Sequence, residues 1–150
     1  MTPFRPLDDQ FLVAPQLEAE DFARAKELGV TCIVNNRPDG EEPGCLQHGE
    51  AAQAAAAAGL NYQYLPMHHG GIDPSDLATL KSLIDSESGR ILAYCRSGTR
   101  SSMLWALAMA GTKPVATIIQ QGLAQGYDLR MLEPTLHHLA QQHNGQERGA

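Results

Sequence analysis

The sequence predicts an α/β protein with three layers, in which a mainly parallel sheet of four to five strands is flanked by helices. Short apolar runs alternate with stretches of helical periodicity, and clusters of Gly, Pro, Asn and Asp separate them. The chain is 43% hydrophobic, and its length of 150 residues is sufficient for one buried core but too short for two. We therefore expect a single domain over residues 1–150, with a polar, frayed tail from about residue 144.

The strands are predicted from short apolar or β-branched runs that stop at turn residues. The first ends at Pro15 and the third leaves the sheet at Pro66, since proline cannot continue a ladder. The predicted strands cover residues 11–14, 30–35, 62–65 and 91–94.

The helices are predicted from apolar periodicity and capping residues. Gly29 and Gly59 are typical C-terminal stops, and an aspartate at 73 followed by Pro74 and Asp76 is a typical helix start. The predicted helices cover residues 18–28, 46–58, 73–86, 101–110, 114–125 and 129–142.

The composition excludes several classes of partner. A net charge of −6 provides no basic surface for nucleic acid or anionic lipid, and no apolar run approaches the roughly twenty residues that cross a bilayer. The first ten residues lack the apolar segment of a secretory signal, so we expect a cytoplasmic location. An anionic substrate must then be small enough for a few arginines to hold.

The cysteines at positions 32, 45 and 95 are odd in number and form no CxxC pair, which favours reduced thiols over disulfides. Cys32, within a strand, is expected to be inert. Cys45, in a loop, is either a resolving thiol or without a role. The histidines and cysteines show no zinc-like spacing, so no metal and no cofactor are predicted.

The most informative segment follows the strand at 91–94. It combines a cysteine, two arginines and a glycine before a helix, in the order Cys95-Arg96-Ser97-Gly98-Thr99-Arg100. Backbone N–H groups of such a loop, the helix N-terminus and Arg100 would bind an anion and stabilise a thiolate at Cys95. Gly98 lets the backbone curl, and Thr99 and Ser101 add hydroxyl donors. The alternative is a cysteine that only packs in the core.

Further residues could assist Cys95 because the loops after parallel strands meet at one edge of the sheet. Arg37 either joins the anion site or pairs with Asp39 or Glu41 on the surface. His68 and His69 either contact the substrate or are surface residues without a role.

A phosphatase would also need a general acid. Asp73 is the first candidate and Asp39 the second, but Asp73 also fits a helix cap and Asp39 a turn. Sulfur transfer needs no such acid, because a stable anion departs.

Two motifs carry a family resemblance. They are Asn35-Asn36-Arg37-Pro38-Asp39-Gly40-Glu41 and the segment from Leu92 through the Cys95 loop to Trp105. Together they resemble the phosphatase-like domain of the beta-lactamase-hydrolase-like family, over about residues 12–132. The resemblance implies a fold similar to dual-specificity protein phosphatases, and family members are described either as phosphatase-like or as sulfurtransferases.

The loop length separates these two descriptions. Protein tyrosine phosphatases place five residues between cysteine and arginine, whereas four lie between Cys95 and Arg100, as in the Cys-Arg-x-Gly-x-Arg loop of rhodanese-type sulfurtransferases. Tyr94 also stands where phosphatases carry a histidine. The resemblance therefore favours a sulfurtransferase that forms a persulfide on Cys95.

Two other functions stay open at this point. One is a phosphatase that acts through a phosphocysteine with Asp73 as its acid, and the other is a non-catalytic module that senses oxyanions or oxidants. The expected partners are a small anionic sulfur or phosphate substrate, and a thiol acceptor or a persulfide-oxidising protein.

Overall fold

The sheet and its helices follow the predicted order with one added strand. The computed structural model describes residues 1–68 and 71–149. In this part of the chain the elements are β1 Arg5–Pro6, β2 Phe11–Ala14, α1 Ala19–Glu27, β3 Val30–Asn35, α2 His48–Ala57, β4 Asn61–Tyr64, α3 Pro74–Ser86, β5 Arg90–Tyr94, α4 Thr99–Met109, α5 Val115–Ala124, a 3₁₀ turn Arg130–Leu132 and α6 Glu133–Gly149.

The five-stranded sheet has the order β1-β2-β5-β3-β4. Strands β2, β5, β3 and β4 are parallel, and β1 pairs antiparallel with β2 at the edge. The prediction of a mainly parallel sheet of four to five strands is confirmed. Strand β1 was not predicted, because two residues that include Pro6 show no alternating pattern.

Alternate strand residues enter two apolar clusters, one on each face of the sheet. The cluster with Val13, Val34 and Ala93 includes buried residues of α3, α4, α5 and α6. The opposite cluster, with Leu12 and Ile33, includes those of α1 and α2. This gives the three predicted layers.

The register aligns the C-terminal ends of the parallel strands. The last residues of the four parallel strands lie side by side across the sheet. In sheet order they are Ala14 of β2, Tyr94 of β5, Asn35 of β3 and Tyr64 of β4. The loops that leave these strands therefore meet at one edge, as expected for the ligand-binding edge of an α/β sheet.

Helix α4 is buried on nearly every side, because it lies between the sheet and the other helices of its layer. It begins at Thr99, two residues before the predicted start at Ser101, so Arg100 lies in its first turn. Helix α6 continues to Gly149, beyond its predicted end at residue 142 and through the tail that the sequence predicts to be frayed. Within the part of the chain that the structure describes, no helix is long and apolar enough to span a membrane.

Candidate functional site

The Cys95 loop connects the central strand β5 to the buried helix α4. The Cys95 residue is 0% exposed, and its Sγ atom accepts a hydrogen bond from the backbone N–H of Gly98 at 3.1 Å. The carbonyl of Gly98 in turn accepts the N–H of Ser102, one turn into α4. The sulfur therefore lies under the loop, beside the first turn of the helix, where N–H groups and the helix dipole stabilise negative charge.

Neighbouring elements hold the loop by its carbonyl oxygens. The backbone N–H of Gln16, just after β2, donates to the carbonyl of Arg96 at 3.2 Å. The hydroxyl of Tyr127 donates to the carbonyl of Ser97 at 3.2 Å. With these two carbonyls bound by outside partners, the N–H of Gly98 remains directed at the sulfur.

Gly98 is required by both conformation and space. Its φ angle of +94° is strained for any residue with a Cβ atom. A Cβ atom built there would lie 2.2 Å from the Tyr127 hydroxyl oxygen and 2.9 Å from Cγ1 of Val13. The loop can thus approach Tyr127 only because residue 98 has no side chain.

Arg100 faces the loop from the first turn of α4 and is 7% exposed. Its Nη1 atom donates to Oε2 of Glu41 at 2.7 Å and to the carbonyl of Met67 at 2.9 Å, and its Nη2 atom donates to Oε1 of Glu41 at 2.9 Å. The hydrogen bonds to Glu41 raise the pKa of the guanidinium, and the nearby Cys95 adds to this effect. Arg100 is therefore fixed in place, because Glu41 and Met67 together engage three of its N–H donors.

Glu41 joins two buried arginines. Besides Arg100, it accepts a hydrogen bond from Nε of Arg37 at 3.0 Å, while Nη2 of Arg37 binds Glu42 at 3.1 Å. The hydrogen bond from Arg100, with a smaller contribution from Arg37, lowers the pKa of Glu41 to about 2. Its carboxylate is thus an anion at neutral pH.

Asn36 ties β3 to the start of α4. It is 0% exposed, and its Oδ1 atom accepts the hydroxyl of Ser101 at 2.8 Å. Its Nδ2 atom donates to the carbonyl of Leu65, and its own carbonyl accepts the N–H of Met67. Ser101 therefore positions the helix start instead of lining the cavity as an anion donor.

A cavity of about 700 Å³ opens beside the loop. Apart from Glu41, the lining comes from the Cys95 loop and α4, from four described residues of the segment before α3, and from Leu132 and Thr135. The lining residues are Glu41, Met67, His68, Gly71, Ile72, Arg96, Ser97, Thr99, Arg100, Met103, Leu107, Leu132 and Thr135. Cys95 is not among these lining residues, but its loop neighbours Arg96, Ser97 and Thr99 are, so the sulfur lies directly behind this wall of the cavity.

The structure brings some of the predicted site residues together at this cavity. Arg96, Ser97, Thr99, Arg100 and His68 line it. Gly98 contacts the sulfur from within the loop. His69 lies outside the described residues.

Other predicted residues are engaged elsewhere. Arg37 does not line the cavity. Its pairing with Glu41 was one of the predicted alternatives and is confirmed. The predicted surface location of this pair is wrong for Arg37, which is only 4% exposed. The carboxylate of Asp39 accepts the backbone N–H of His48 at 2.7 Å. Asp73 caps α3 by accepting the N–H and the hydroxyl of Ser75, both at 2.8 Å, and these bonds lower the pKa of its carboxyl.

Tyr94 and the remaining cysteines lie apart from the cavity. The Tyr94 side chain is completely buried in the α1/α2 cluster, and burial raises the pKa of its hydroxyl. Burial likewise raises the pKa of Cys32 to about 12, which agrees with an inert thiol. Cys45 is partly exposed, with its sulfur 3.5 Å from Nη1 of Arg37.

Sequence reasoning gave no site role to three residues that shape the site: Gln16, Tyr127 and Glu41, which was named only as a possible partner of Arg37. Glu41 belongs to the motif that begins at Asn35, and an acidic residue in a loop facing two arginines was the available signal. Gln16 binds the loop through its backbone and Arg37 through its side chain, and Tyr127 lies 30 residues after the loop residue that it binds. Neither has a local sequence signal.

The fold defines a class of proteins, because it is that of the dual-specificity and tyrosine phosphatases. The family model described as "Beta-lactamase hydrolase-like protein, phosphatase-like domain" matches residues 3–112. The chain therefore belongs to this family, as the sequence predicted.

Similar proteins agree with this assignment. The beta-lactamase hydrolase-like protein of Xylella fastidiosa is 34% identical over 127 residues, which cover 82% of this chain but only 29% of that protein. A solved structure of a candidate phosphatase from Neisseria meningitidis is 32% identical with a TM-score of 0.77, covering 90% of this chain and 96% of that chain. The structure of PTPMT1 in complex with PI(5)P is 13% identical with a TM-score of 0.74, covering 96% and 98%, and shares the fold alone.

Proposed function

We propose that the protein is a cysteine-dependent sulfurtransferase, in which Cys95 accepts a sulfane sulfur from a small anionic donor and passes it to a thiol. The observation that carries this proposal is the state of Glu41. It is the carboxylate among the described lining residues, and it is held as an anion by Arg100 and Arg37 with its pKa lowered to about 2. It therefore cannot supply the proton that an alkoxide leaving group needs.

The other acids predicted to serve a phosphatase support the same conclusion. Asp73 caps α3 and Asp39 binds the N-terminus of α2, and neither lines the cavity. Sulfur transfer is free of this requirement because the donor departs as a stable anion.

The chemical step needs only groups that the loop provides. The Cys95 thiolate attacks the outer sulfur of a thiosulfonate, the donor's S–S bond breaks, and its electron pair leaves with the sulfinate. An acceptor thiolate then attacks the outer sulfur of the Cys95 persulfide and regenerates the Cys95 thiolate. The N–H of Gly98 and the N-terminus of α4 stabilise negative charge on the sulfur in both steps.

A phosphatase is the second candidate, and the comparisons taken by themselves favour it over sulfur transfer. The Neisseria relative is described as a candidate phosphatase, and PTPMT1 was solved with PI(5)P. In this candidate Cys95 forms a phosphocysteine, and His68, which lines the cavity, replaces Asp73 as the proton donor.

One experiment distinguishes these candidates. The reduced protein is incubated with methanethiosulfonate or with an aryl phosphate, and its intact mass is measured before and after addition of cyanide. Sulfur transfer predicts the gain of one sulfur atom, lost again on cyanide addition. Hydrolysis of the aryl ester without sulfur uptake would reverse the ranking, and binding without any covalent product would favour the sensing module.

The cellular setting is part of the proposal. Reduced thiols favour a cytoplasmic location, and a persulfide product calls for an acceptor thiol or a persulfide-oxidising protein. The chain spans about 29% of the length of its Xylella relative, so the functions of that longer protein are not carried over to it.

A further inference from the structure

The cavity beside the Cys95 loop is larger than a small inorganic anion requires. Its volume of about 700 Å³ falls within the range of pockets that bind organic molecules, roughly 300–1,000 Å³. Its lining also has two parts: charged and hydroxyl groups at the Cys95 loop, here called the loop end, and a set of apolar side chains from other positions in the chain. The two parts have different binding preferences.

The loop end carries a small net positive charge. Arg96 and Arg100 contribute two positive charges among the described lining residues, and Glu41 returns one negative charge through its paired hydrogen bonds with Arg100. Ser97 and Thr99 add hydroxyl groups. This end is complementary to a head group with one negative charge, since a second would be repelled by Glu41.

The apolar part of the lining is an apolar wall, which we define as Ile72, Met103, Leu107 and Leu132. Leu107 is 7% exposed, and Ile72, Met103 and Leu132 are partly buried residues packed on the main core cluster. They come from three parts of the chain: the loop before α3, helix α4 and the 3₁₀ turn. Aliphatic side chains of this kind bind apolar surface and offer no hydrogen bonds.

We propose that the apolar wall binds the hydrocarbon body of the sulfur donor, so the substrate class is a monoanionic sulfane-sulfur compound with an alkyl or aryl group. This inference rests on the proposed sulfur transfer for the identity of the head group. The hydrocarbon body is favoured over a polar peptide body because the wall provides no partner for polar groups.

Part of the apolar wall lies outside the segment that matches the family model. That match ends at residue 112, whereas Leu132 belongs to the 3₁₀ turn before α6. Leu132 is thus the wall residue that lies outside the match, whereas Ile72, Met103 and Leu107 lie within it.

Binding of unreactive sulfonates tests the apolar wall without any chemistry at Cys95. Dissociation constants of methane-, butane- and hexanesulfonate are measured by calorimetry on the full chain. Affinity should rise by up to about fourfold for each methylene that is buried, and by at least about tenfold from methane- to hexanesulfonate. Equal affinity across the series would overturn the proposal.

A pair of adjacent methionine and leucine variants provides the control. Leu132→Ala should abolish most of the gain in affinity with chain length. Met131→Ala should leave it unchanged, because Met131 is 67% exposed and outside the lining. If both variants weaken hexanesulfonate equally, the apolar wall is not the binding surface. Met103→Gln, on a different element, repeats the test should Leu132→Ala unfold.

Kinetics with the corresponding alkanethiosulfonates separates the two proposals. If Cys95 takes up sulfur at a rate that increases with chain length, both hold. If it takes up sulfur equally from every donor, the apolar-wall proposal fails alone. If sulfonate binding depends on chain length but no donor loads Cys95, sulfur transfer fails while the binding surface stands.

Discussion

At Gly98, the absence of a side chain decides whether the Cys95 loop can close. The φ angle is +94°, and the space that a Cβ atom would fill is taken by Tyr127 and Val13. The same glycine supplies the N–H that reaches the sulfur. Conformation, packing and the environment of the sulfur thus depend on one residue.

Replacing Gly98 by alanine should therefore cost more stability than the backbone strain alone. Gly29→Ala is the matched control, because Gly29 has a φ angle of +88° and open space around it. We expect about 1–2 kcal/mol for Gly29→Ala and about 1–3 kcal/mol more for Gly98→Ala, measured by urea unfolding. Equal losses would show that the contact with Tyr127 does not constrain the loop.

Glu41 gives the site a pH-dependent contribution to stability. Its pKa falls from 4.5 in the unfolded chain to about 2 in the folded protein, chiefly through Arg100. A carboxyl with a lowered pKa stabilises the fold above its unfolded value, and that stabilisation disappears as the pH falls through the folded value.

The Glu41→Gln variant should therefore be less stable than the wild type at pH 7, and the difference should shrink between about pH 4.5 and pH 2. Urea unfolding of both proteins across this range measures it. Because the other carboxyls are the same in both, their titration cancels in the comparison. A difference that is constant with pH would mean that the ionised carboxylate does not hold Arg100.

At the level of elements, helix α3 shows how one aspartate can fit two predictions. The Asp-Pro-x-Asp signal at residues 73–76 predicted a cap, and the position of Asp73 upstream of Cys95 made it a candidate for the acid of a phosphatase. In the structure, the Asp73 carboxylate binds Ser75 at the start of α3 and does not line the cavity.

Asp73 variants should change stability without changing turnover. Asp73→Ala removes a side-chain cap and should lower the free energy of unfolding, whereas Asp73→Asn keeps a capping oxygen and should restore most of it. Both variants should transfer sulfur at close to the wild-type rate. The rate is measured as the formation of thiocyanate when cyanide is the sulfur acceptor. A large loss of rate in both variants would assign Asp73 to the chemistry.

Local signals predicted elements well and contacts between elements poorly. Strands β2, β3 and β5 were found because each has an apolar or β-branched run that stops at a turn, and β4 was found because the chain leaves it at Pro66. The start of α4 was misplaced by two residues, because the helix begins within the Cys95 loop itself. Edge strand β1 forms only by pairing with β2, so its two residues carry no pattern of their own.

The candidate site shows the same division. The Cys95 loop was found because its residues are contiguous. Pairing of Arg37 with Glu41 was one of the predicted alternatives, but the extension of this pair to Arg100 was not predicted. Glu41 and Arg100 are 59 residues apart in the sequence, and their contact depends on how the loops after β3 and β5 meet. The similar proteins support a phosphatase better than a sulfurtransferase. The proposal of sulfur transfer is supported instead by the length of the Cys95 loop and by the ionised state of Glu41.

At the scale of the whole molecule, the site is a property of the aligned strand ends. The loops after β2, β3, β4 and β5 each contribute to it, through Gln16, Glu41, Met67 and the Cys95 loop. Residues from the 3₁₀ turn and α6 complete the cavity. A buried sulfur, a fixed guanidinium and an adjacent cavity are thereby placed together by one sheet.

The most direct test of this account is to locate the transferred group on the chain. After incubation with methanethiosulfonate, peptide mass mapping compares the wild type with Cys95→Ser and Cys45→Ser, each checked for folding by circular dichroism. One added sulfur is expected on Cys95 in the wild type and in Cys45→Ser, and none in Cys95→Ser. Sulfur uptake and turnover that persist in a folded Cys95→Ser protein would contradict it.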